Sequence, residues 1–443
     1  MLTIFDTLQH KDTVLDLNPD KEVNFYSCGP TVYGYAHIGN LRSFIMNDVL
    51  VRTLRANGLK VRWVMNLTDI DDKTIKGTIA EYGPDANLDK LRNHTQHFTE
   101  KFWADLREVG VDTDSIEFIN ATDSVAEIQE FILELINQGF AYTADDRSTY
   151  FSIEKYQEKF GDYGNLVGTK FLEGKKINAR IQNDEYEKDN LSDFALWKAW
   201  TEEDAHIFWE HPVLGKGRPG WHIECSAINR LAFKENPTDI HTGGVDLIFP
   251  HHTNEIAQSQ PLGPFVHYWV HFEHLLVDGK KMSKSLKNIY TLEDLRAKGF
   301  SGLDLRYLFL QSKYNQQTNF TWQAIEAAKI GRNKLHTAIT TESSGGSREG
   351  FLEIINNHFN TAEALGYLHQ HKDIIEQCDT VLGLQLSHQE QIEIPQEVQE
   401  LLDQRQKARE QKDFALSDEL RNHIVELGYE VLDTDTGQKL QKK

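Results

Sequence analysis

The feature that most constrains this 443-residue chain is a strand–helix–strand pattern within its first hundred residues. A short apolar run at 23–28 ends at a glycine–proline turn, as a buried strand would. Apolar residues then recur at helical spacing over 41–54, and a second strand pattern follows at 61–66. Two strands joined by a crossover helix pair in parallel, and ligands of such sheets bind beyond the carboxyl ends of the strands. Cys28 and Thr68 follow these two strand ends, so the sequence predicts a ligand site there.

The rest of the chain predicts an α/β fold with additional parts. Strand patterns resume at 238–241 and 265–277, after a polar and less regular stretch, and the pattern becomes helical beyond about 320. A single charged helix is predicted over 396–427. The expected fold is a doubly wound, Rossmann-like parallel sheet with an inserted segment, then a helical bundle and a small C-terminal domain. The predicted division is 1–115 and 216–319 for the two halves of the catalytic domain, 116–215 for the inserted connective segment, 320–395 for the bundle and 396–443 for the C-terminal region.

Composition limits where the chain works and what it binds. No apolar run approaches the roughly 20 residues of a membrane helix, and the amino terminus lacks a secretion signal, so we expect a cytoplasmic protein without a membrane partner. Three scattered cysteines predict free thiols or metal ligands rather than a disulfide framework. The net charge of −21 disfavours RNA binding, because basic side chains must neutralise phosphates. A local basic path can coexist with acidic outer faces, so RNA is not excluded.

Two segments have the chemistry of a phosphate site. The segment His37–Asn40 lies between a strand end and a helix start, where free backbone N–H groups attract anions. The segment Lys280–Ser285 follows a glycine turn, and ammonium groups on a mobile loop can stabilise a triphosphate as its charge redistributes. A helix cap and a solvated basic loop are the ordinary structural alternatives. The combination of both segments in a parallel-sheet context favours the phosphate site.

Four side chains form a candidate metal set. His251 and Glu255 are four residues apart, so on a helix they would share one face. With Cys28 and Cys225 they supply two sulfurs, one nitrogen and one oxygen, which is enough for tetrahedral zinc. A free core thiol and a solvated His–Glu pair are the alternative, since spacing alone does not bring distant positions together.

Five motifs together carry a resemblance to a known family. They are Tyr26–Tyr33 with its continuation through His37–Asn40, then Asn66–Lys73, Gly217–Cys225, Phe249–Ser259 and Lys281–Ser285. In this order, over most of residues 1–320, they resemble the cysteinyl-tRNA synthetases, a family of class I aminoacyl-tRNA synthetases. The likeness is looser after 320. Two positions depart from the pattern: Asn40, where many class I enzymes have histidine, and Thr242, where the family usually has glycine.

The resemblance implies a reaction, its cofactors and its partners. The enzyme would activate L-cysteine with ATP to cysteinyl-adenylate and transfer it to the 3′-terminal ribose of tRNA(Cys), acting as a monomer whose residues 396–443 recognise the anticodon. One zinc ion per chain would recognise the substrate thiol, which as a thiolate prefers zinc far more than a serine hydroxyl does, and Mg²⁺ would accompany ATP. The implied residues are Cys28, Cys225, His251 and Glu255 for the metal, Thr68, Trp221 and His241 for the amino acid, Gly39, Gly243, Asp246 and Lys284 for ATP, and His37, Asn40, Lys281 and Lys284 for catalysis.

Other interpretations compete with parts of this hypothesis. A charged helix face with Arg405, Lys407, Arg409 and Arg421 could contact RNA backbone, but a solvated face explains these residues about equally well. A related ligase could activate cysteine in the same zinc site and join it to a small amine, although the helical extension after 320 disfavours this. A non-catalytic, zinc-stabilised RNA-binding protein is the third alternative, and it would have no use for both phosphate segments.

Overall fold

The computed structural model describes residues 1–161, 163–168, 193–234, 236–283, 285–339, 344–387, 395–434 and 437–442. The chain divides into two compact units, Met1–Leu386 and Ser387–Lys443. Within the described residues, no helix is both long enough and apolar enough to cross a membrane.

The first unit contains parallel and antiparallel strands. In chain order they are β1 (Thr3–Asp6), β2 (Lys11–Val14), β3 (Glu22–Ser27), β4 (Lys60–Leu67), β5 (Ile116–Asn120), β6 (Ala141–Thr143), β7 (Thr149–Phe151), β8 (Phe194–Ala199), β9 (Trp209–His211), β10 (Gly215–Pro219), β11 (Thr238–Gly244), β12 (Val266–Phe272), β13 (Leu275–Val277), β14 (Lys280–Lys281) and β15 (Thr318–Phe320).

A doubly wound parallel sheet forms the centre of this unit, as the sequence predicts. Its strands lie in the order β5-β4-β3-β11-β12, and neighbouring strands pair in parallel. Counted along the chain, this is the strand order 3-2-1-4-5 of a Rossmann-like sheet. The order reverses between β3 and β11, where such sheets open a crevice beyond their carboxyl ends. Because β5 belongs to the sheet, the sheet extends past residue 115, where the predicted first half ends.

The first unit also contains helices. They are α1 (Ile38–Ala56), α2 (Asp72–Tyr82), α3 (Leu88–Glu108), α4 (Val125–Asn137), α5 (Ile153–Phe160), α6 (Trp221–Phe233), α7 (Thr253–Ser259), α8 (Leu292–Arg296), α9 (Gly302–Leu310), α10 (Trp322–Thr337), α11 (Arg348–Asn356), α12 (Thr361–Gln370) and α13 (Ile375–Leu382). The crossover helix α1 buries Leu41, Ile45 and Val49, which recur at helical spacing, and packs with β4 in the main core. It ends before Gly58, whose φ of 87° suits glycine.

The predicted insertion at 116–215, expected to be polar and less regular, contains β5 and most of an antiparallel sheet, which continues through β10 beyond residue 215. The strand order of this sheet is β6-β7-β8-β10-β9. Phe151, Phe194 and Trp197 are buried in a separate hydrophobic cluster on this sheet. Its strands have three to six residues, which is too short for alternation of polar and apolar residues to be recognised in a polar segment.

The second unit contains two helices, α14 (Gln396–Glu410) and α15 (Phe414–Glu426), and a hairpin of β16 (Tyr429–Thr434) and β17 (Gly437–Lys442). The prediction of one helix over 396–427 is therefore wrong. Lys412 adopts a left-handed conformation with φ of 61°, which ends the first helix. The Asp413 side chain then accepts a hydrogen bond from the backbone N–H of Leu416 at 3.1 Å and caps the second helix.

The core of the second unit corrects one further interpretation. Leu402, Leu420 and Ile424 pack together in a small hydrophobic cluster. Arg405, considered above as a contact for RNA backbone, is only 1% exposed and donates to Gln438 Oε1 at 2.7 Å. Its guanidinium links α14 to β17 and is not available at the surface.

Candidate functional site

The candidate site lies where the order of the parallel strands reverses. Cys28 follows the end of β3, and its backbone N–H donates to the carbonyl of Thr242 in β11 at 3.2 Å. Thr68 follows β4 and is held by backbone hydrogen bonds to the loop after β3, through Pro30 and Val32. The ends of three neighbouring strands are thereby joined, as expected for a ligand site in such a sheet.

The four predicted metal-set residues converge beneath this crevice. Cys28 Sγ lies 3.7 Å from Cys225 Sγ and 3.8 Å from Glu255 Oε1. His251 Nε2 lies 3.3 Å from Cys225 Sγ and 3.0 Å from Glu255 Oε1. Cys225 comes from α6 and Glu255 from α7, and all four side chains are buried. The fold therefore brings together positions that spacing alone could not join.

A fifth side chain, His252, belongs to the same cluster. Its Nε2 lies 3.3 Å from Cys28 Sγ and 3.8 Å from Glu255 Oε1. The donor atoms of Cys28, His251, His252 and Glu255 all lie within 4.8 Å of one another. The other ring nitrogen of His252, Nδ1, lies 2.7 Å from His271 Nε2, which fixes the ring. The sequence interpretation omitted His252, although its place beside His251 was an available signal.

The electrostatics of this cluster suit a cation. Burial raises the pKa of the Cys225 thiol, but hydrogen bonding from Cys28 and the positive charge of His251 outweigh burial and lower it to about 6. Burial also opposes ionisation of Glu255, yet His241 and His251 lower its pKa to about 2. Buried anionic donors therefore face one another. Burial lowers the pKa of His251, but the charges of Cys225 and Glu255 outweigh burial and raise it to about 10, which favours an imidazolium as the counter-charge. A metal ion can take the place of that proton, so the residues fit a metal.

The residues predicted for the amino-acid pocket surround the cluster. The Trp221 ring, at the start of α6, stacks on His251 with centroids 4.5 Å apart. His241 Nε2 lies 3.0 Å from Glu255 Oε2, and its ring stacks on Trp269 at 4.4 Å. Trp221 and His241 thus contact the candidate metal set directly, whereas Thr68 lies at the neighbouring strand end.

The first phosphate segment begins α1 with a reciprocal cap. His37 Nδ1 accepts from the backbone N–H of Asn40 at 3.1 Å, and Asn40 Oδ1 accepts from the backbone N–H of His37 at 3.2 Å. The ordinary alternative, a helix cap, is therefore present, and it occupies only one nitrogen of the imidazole. Burial lowers the pKa of His37 below its usual value, which favours the neutral ring.

Met282, from the second phosphate segment Lys280–Ser285, which we call the lysine loop, lies against this first segment. A Cβ placed at Gly39 would meet the methyl end of the Met282 side chain, so the two segments are in contact at this glycine. Lys281, in β14, is exposed. Lys284, the other predicted catalytic lysine, lies outside the described residues.

The predicted nucleotide residues on the opposite strand end lie close to the cluster and to α1. A Cβ at Gly243 would lie 2.6 Å from His252 Cε1, so glycine lets the strand end pass over that ring. Asp246 follows in a short helical turn, and its charge contributes to the pKa of His37. The residues predicted to bind the nucleotide therefore follow β3 and β11, the two strands that border the crevice.

Solved synthetases share this architecture at low sequence identity. The chain is similar to Mycobacterium tuberculosis methionyl-tRNA synthetase in complex with methionyl-adenylate, with a TM-score of 0.56 and 14% identity over 83% of this chain and 89% of that one. It is also similar to the Agrobacterium radiobacter K84 leucyl enzyme in a ternary complex, with a TM-score of 0.55 and 12% identity over 84% and 83%. The sheet order and the site at its reversal define a class I aminoacyl-tRNA synthetase fold.

Sequence relatives identify the branch of that class. The family model described as tRNA synthetases class I (C) catalytic domain matches residues 15–330, and that of the cysteinyl-tRNA ligase anticodon binding domain matches residues 392–440. Cysteine–tRNA ligase of Chlamydia caviae is 42% identical over 95% of this chain and 94% of the relative. That of Chlamydia muridarum is 40% identical over 100% and 99%. The chain belongs to the cysteine–tRNA ligase family, whose reaction is the aminoacylation of tRNA(Cys).

Proposed function

We propose that Cys28, Cys225, His251 and Glu255 hold one zinc ion, which recognises the sulfur of the substrate cysteine. The observation that carries this proposal is the convergence of the four donors. Two thiolates at 2.3 Å from a tetrahedral zinc are separated by about 3.8 Å, close to the 3.7 Å between Cys28 and Cys225. When bound, zinc supplies a soft Lewis acid that favours a thiolate over a hydroxyl.

The side chains around the cluster would complete the choice of amino acid. Trp221 would cover the small substrate from the position where it now stacks on His251. His241 would keep Glu255 oriented through their 3.0 Å contact, as partners of metal ligands do. Thr68 would line the adjoining strand end. An apolar pocket distinguishes an oxygen from a sulfur poorly, so direct recognition of the sulfur replaces a separate editing step.

The opposite side of the crevice would bind and activate ATP. Gly39 and Gly243 would admit adenine and ribose, with Asp246 accepting from ribose hydroxyls and Mg²⁺ accompanying the phosphates. The cysteine carboxylate attacks the α-phosphorus and pyrophosphate leaves. His37, Asn40, Lys281 and Lys284 would stabilise the charge that develops on the phosphates. No protein nucleophile is required, so positioning and electrostatics carry the rate.

Transfer to tRNA would follow on the same enzyme. The 2′-hydroxyl of the terminal ribose would attack the carbonyl of cysteinyl-adenylate, take the cysteinyl group and release AMP. Residues 396–443 would recognise the anticodon, and Lys407, Arg409 and Arg421 are the remaining candidates for backbone contacts. We also propose a division into catalytic halves, insertion, bundle and anticodon region in which the first catalytic half extends through β5, and a monomer that acts in the cytoplasm. Joining cysteine to a small amine instead would require no anticodon region, which the match over residues 392–440 disfavours.

A single preparation can test the metal and the reaction together. Metal content would be measured alongside cysteine-dependent ATP–pyrophosphate exchange, before and after chelation. We expect one zinc per chain, loss of exchange without it, and recovery on adding zinc in the presence of Mg²⁺. Charging of tRNA(Cys) would then be compared with ligation to small amines. Metal-free enzyme that still prefers cysteine to serine would contradict zinc-based recognition, and an unaltered exchange rate in Lys284→Ala would contradict the role of that lysine.

A further inference from the structure

Two exposed tyrosines lie on the loop that joins β3 to α1. Tyr33 is 41% exposed and Tyr35 is 59% exposed, and among the described residues no other tyrosine is exposed. None of the site roles given above falls on either of them. Tyr35 precedes His37, the cap of α1, by two residues, so the Cα atoms of these two residues lie at most about 7 Å apart. The backbone N–H of Val32 donates to the carbonyl of Thr68 at 3.1 Å, which holds the loop at the edge of the sheet where ligands bind. The two rings therefore lie beside the first phosphate segment.

Helix α3 holds the ring of Tyr35 in place without covering it. The Tyr35 and Phe98 rings meet edge to face with centroids 5.6 Å apart, and the Tyr35 and His97 rings do so at 6.4 Å. Phe98 packs against the main hydrophobic core, so it is a fixed support. More than half of Tyr35 is nevertheless open to solvent. A single exposed aromatic residue is ordinary, but two of them beside a ligand crevice, one held by aromatic neighbours, indicate a surface that binds a flat ring.

Positive side chains border the same surface. The Lys73 ammonium lies 5.2 Å from the centroid of the Tyr33 ring. Lys101 is exposed and follows His97 by four residues in α3, so the two side chains are neighbours on the helix surface. Glu100, exposed on the same helix, already accepts a hydrogen bond from within that helix at 3.0 Å. Because the chain carries a net charge of −21, cations beside exposed rings favour a partner that is both anionic and aromatic.

Single-stranded RNA combines these two properties, because its phosphates are anionic and its unpaired bases stack on aromatic side chains. In the function proposed above, the 3′ end of tRNA comes to this crevice, where its terminal ribose accepts the cysteinyl group. We propose that Tyr35 stacks on a base of the single-stranded 3′ end of tRNA(Cys) and thereby positions the terminal ribose for transfer. Tyr33 extends this surface, and Lys73 and Lys101 attract the adjoining phosphates. The inference rests on the proposed transfer to tRNA and names residues that hold the RNA for it.

Equilibrium binding of tRNA(Cys) to the full-length enzyme tests this contact. Tyr35→Ala should weaken the binding of intact tRNA(Cys) about tenfold, which is within the range that one base stacked on an aromatic ring contributes. The same substitution should change the binding of tRNA(Cys) that lacks its single-stranded 3′ end by less than about twofold, because the stacked base is absent. Tyr35→Phe keeps the ring and is the matched control, so it should bind both RNAs like the parent enzyme. Equal losses with both RNAs, or no loss with either, would overturn the proposal.

Exchange kinetics distinguish this inference from the proposed activation chemistry. Cysteine-dependent ATP–pyrophosphate exchange is measured without tRNA, so Tyr35→Ala should keep the KM for ATP and for cysteine within about twofold of the parent values, which also shows that the variant is folded. The kcat/KM for charging of tRNA(Cys) should fall about tenfold. A raised KM for ATP with unchanged binding of tRNA(Cys) would assign Tyr35 to the adenine of ATP and overturn the proposal. A parent enzyme that performs exchange but charges no tRNA(Cys) would instead refute the proposed transfer, and this inference with it.

Discussion

The candidate metal cluster and the residues predicted to bind the nucleotide phosphates, His37–Asn40 and Lys281, differ in their surroundings. Cys28, Cys225, His251 and Glu255 are buried, and their donor atoms already lie within contact distance of one another. Lys281 is exposed on the two-residue strand β14. Among the described residues, no hydrogen bond or ion pair joins it to another predicted catalytic residue. Under the proposed roles, the donors that recognise the amino acid are preorganised, whereas the lysine that stabilises the leaving phosphates would approach its substrate from an exposed strand.

This difference follows from what each side must do. Distinguishing sulfur from oxygen requires donors fixed within a few tenths of an ångström, and burial with interlocking contacts provides that precision. Triphosphate binding and pyrophosphate release require groups that can approach and withdraw, which an exposed loop allows. Substitutions in the cluster should therefore affect substrate selection and metal content together. Substitutions in the loop should affect the rate alone.

The largest effect is expected for Cys225→Ala. Loss of one thiolate from the buried set should remove most bound metal and lower kcat/KM for cysteine in exchange about 1000-fold, which corresponds to about 4 kcal/mol. Zinc analysis and exchange kinetics on the same sample would measure both. Cys378→Ala is the matched control, because Cys378 is also a buried free thiol but lies in α13. Equal effects in the two variants would show that loss of any buried thiol, and not loss of a metal donor, causes the defect.

The second effect concerns Asp69, a buried carboxylate for which the described residues provide no cationic partner. Glu255 is held ionised by His241 and His251, whereas burial raises the pKa of Asp69 to about 6 despite hydrogen bonds from Thr122. Relative to the unfolded value of 3.8, the folded state holds an extra proton between about pH 4 and 6. Stability from this group is therefore present at about pH 4 and is lost as the pH rises through 6.

Asp69→Asn measures this loss. The free energy of unfolding of the variant should rise relative to that of the parent by about 3 kcal/mol between pH 4 and 7, since each unit of pKa shift corresponds to about 1.4 kcal/mol. Urea unfolding at several pH values would follow the difference. A difference that is constant across this range would mean that Asp69 is already ionised in the folded protein at pH 4.

The third prediction tests the exposed side. Lys281→Ala should lower kcat for exchange about thirtyfold, or about 2 kcal/mol, with little change in KM for cysteine or in metal content. Its neighbour Lys280 is the control, because adjacent residues in a strand point to opposite faces. Lys280→Ala should be close to the parent enzyme. A rise in KM for cysteine in Lys281→Ala would show that this lysine contributes to cysteine binding, contrary to the proposed difference between the loop and the metal cluster.

The same difference explains which parts of the structure could be predicted from the sequence. The parallel sheet was predictable because strand, crossover helix and strand are local patterns. The positions of Cys28 and Thr68 followed from the rule that ligands bind at strand ends. Convergence of Cys225 with His251 did not follow from spacing, because it depends on how α6 and α7 pack. Only the family resemblance brought them together in advance.

Other features could not be predicted because no local pattern of residues indicates them. The break between α14 and α15 depends on one left-handed residue, Lys412, inside a sequence that is helical on both sides. Burial of Arg405 depends on Gln438, from a distant hairpin. Asn40, unusual for the class, completes a reciprocal cap with His37, and Thr242 donates to Asn47 Oδ1 at 2.6 Å. The first departure from the family pattern is accommodated by a local helix cap and the second by a tertiary contact.

The smallest effect is expected for His252, the cluster member that sequence reasoning omitted. Its Nε2 is as close to Cys28 Sγ as His251 Nε2 is to Cys225 Sγ, 3.3 Å in both cases. If His252 supports the site from outside a tetrahedral set, His252→Gln should weaken metal binding about tenfold and keep one metal per chain, as loss of an outer partner does. His251→Gln, the matched substitution of a proposed ligand, should remove most of the metal. Competition with a chelator would measure both affinities. The reverse ranking of the two variants would exchange the roles of the adjacent histidines while leaving the buried, preorganised character of the cluster intact.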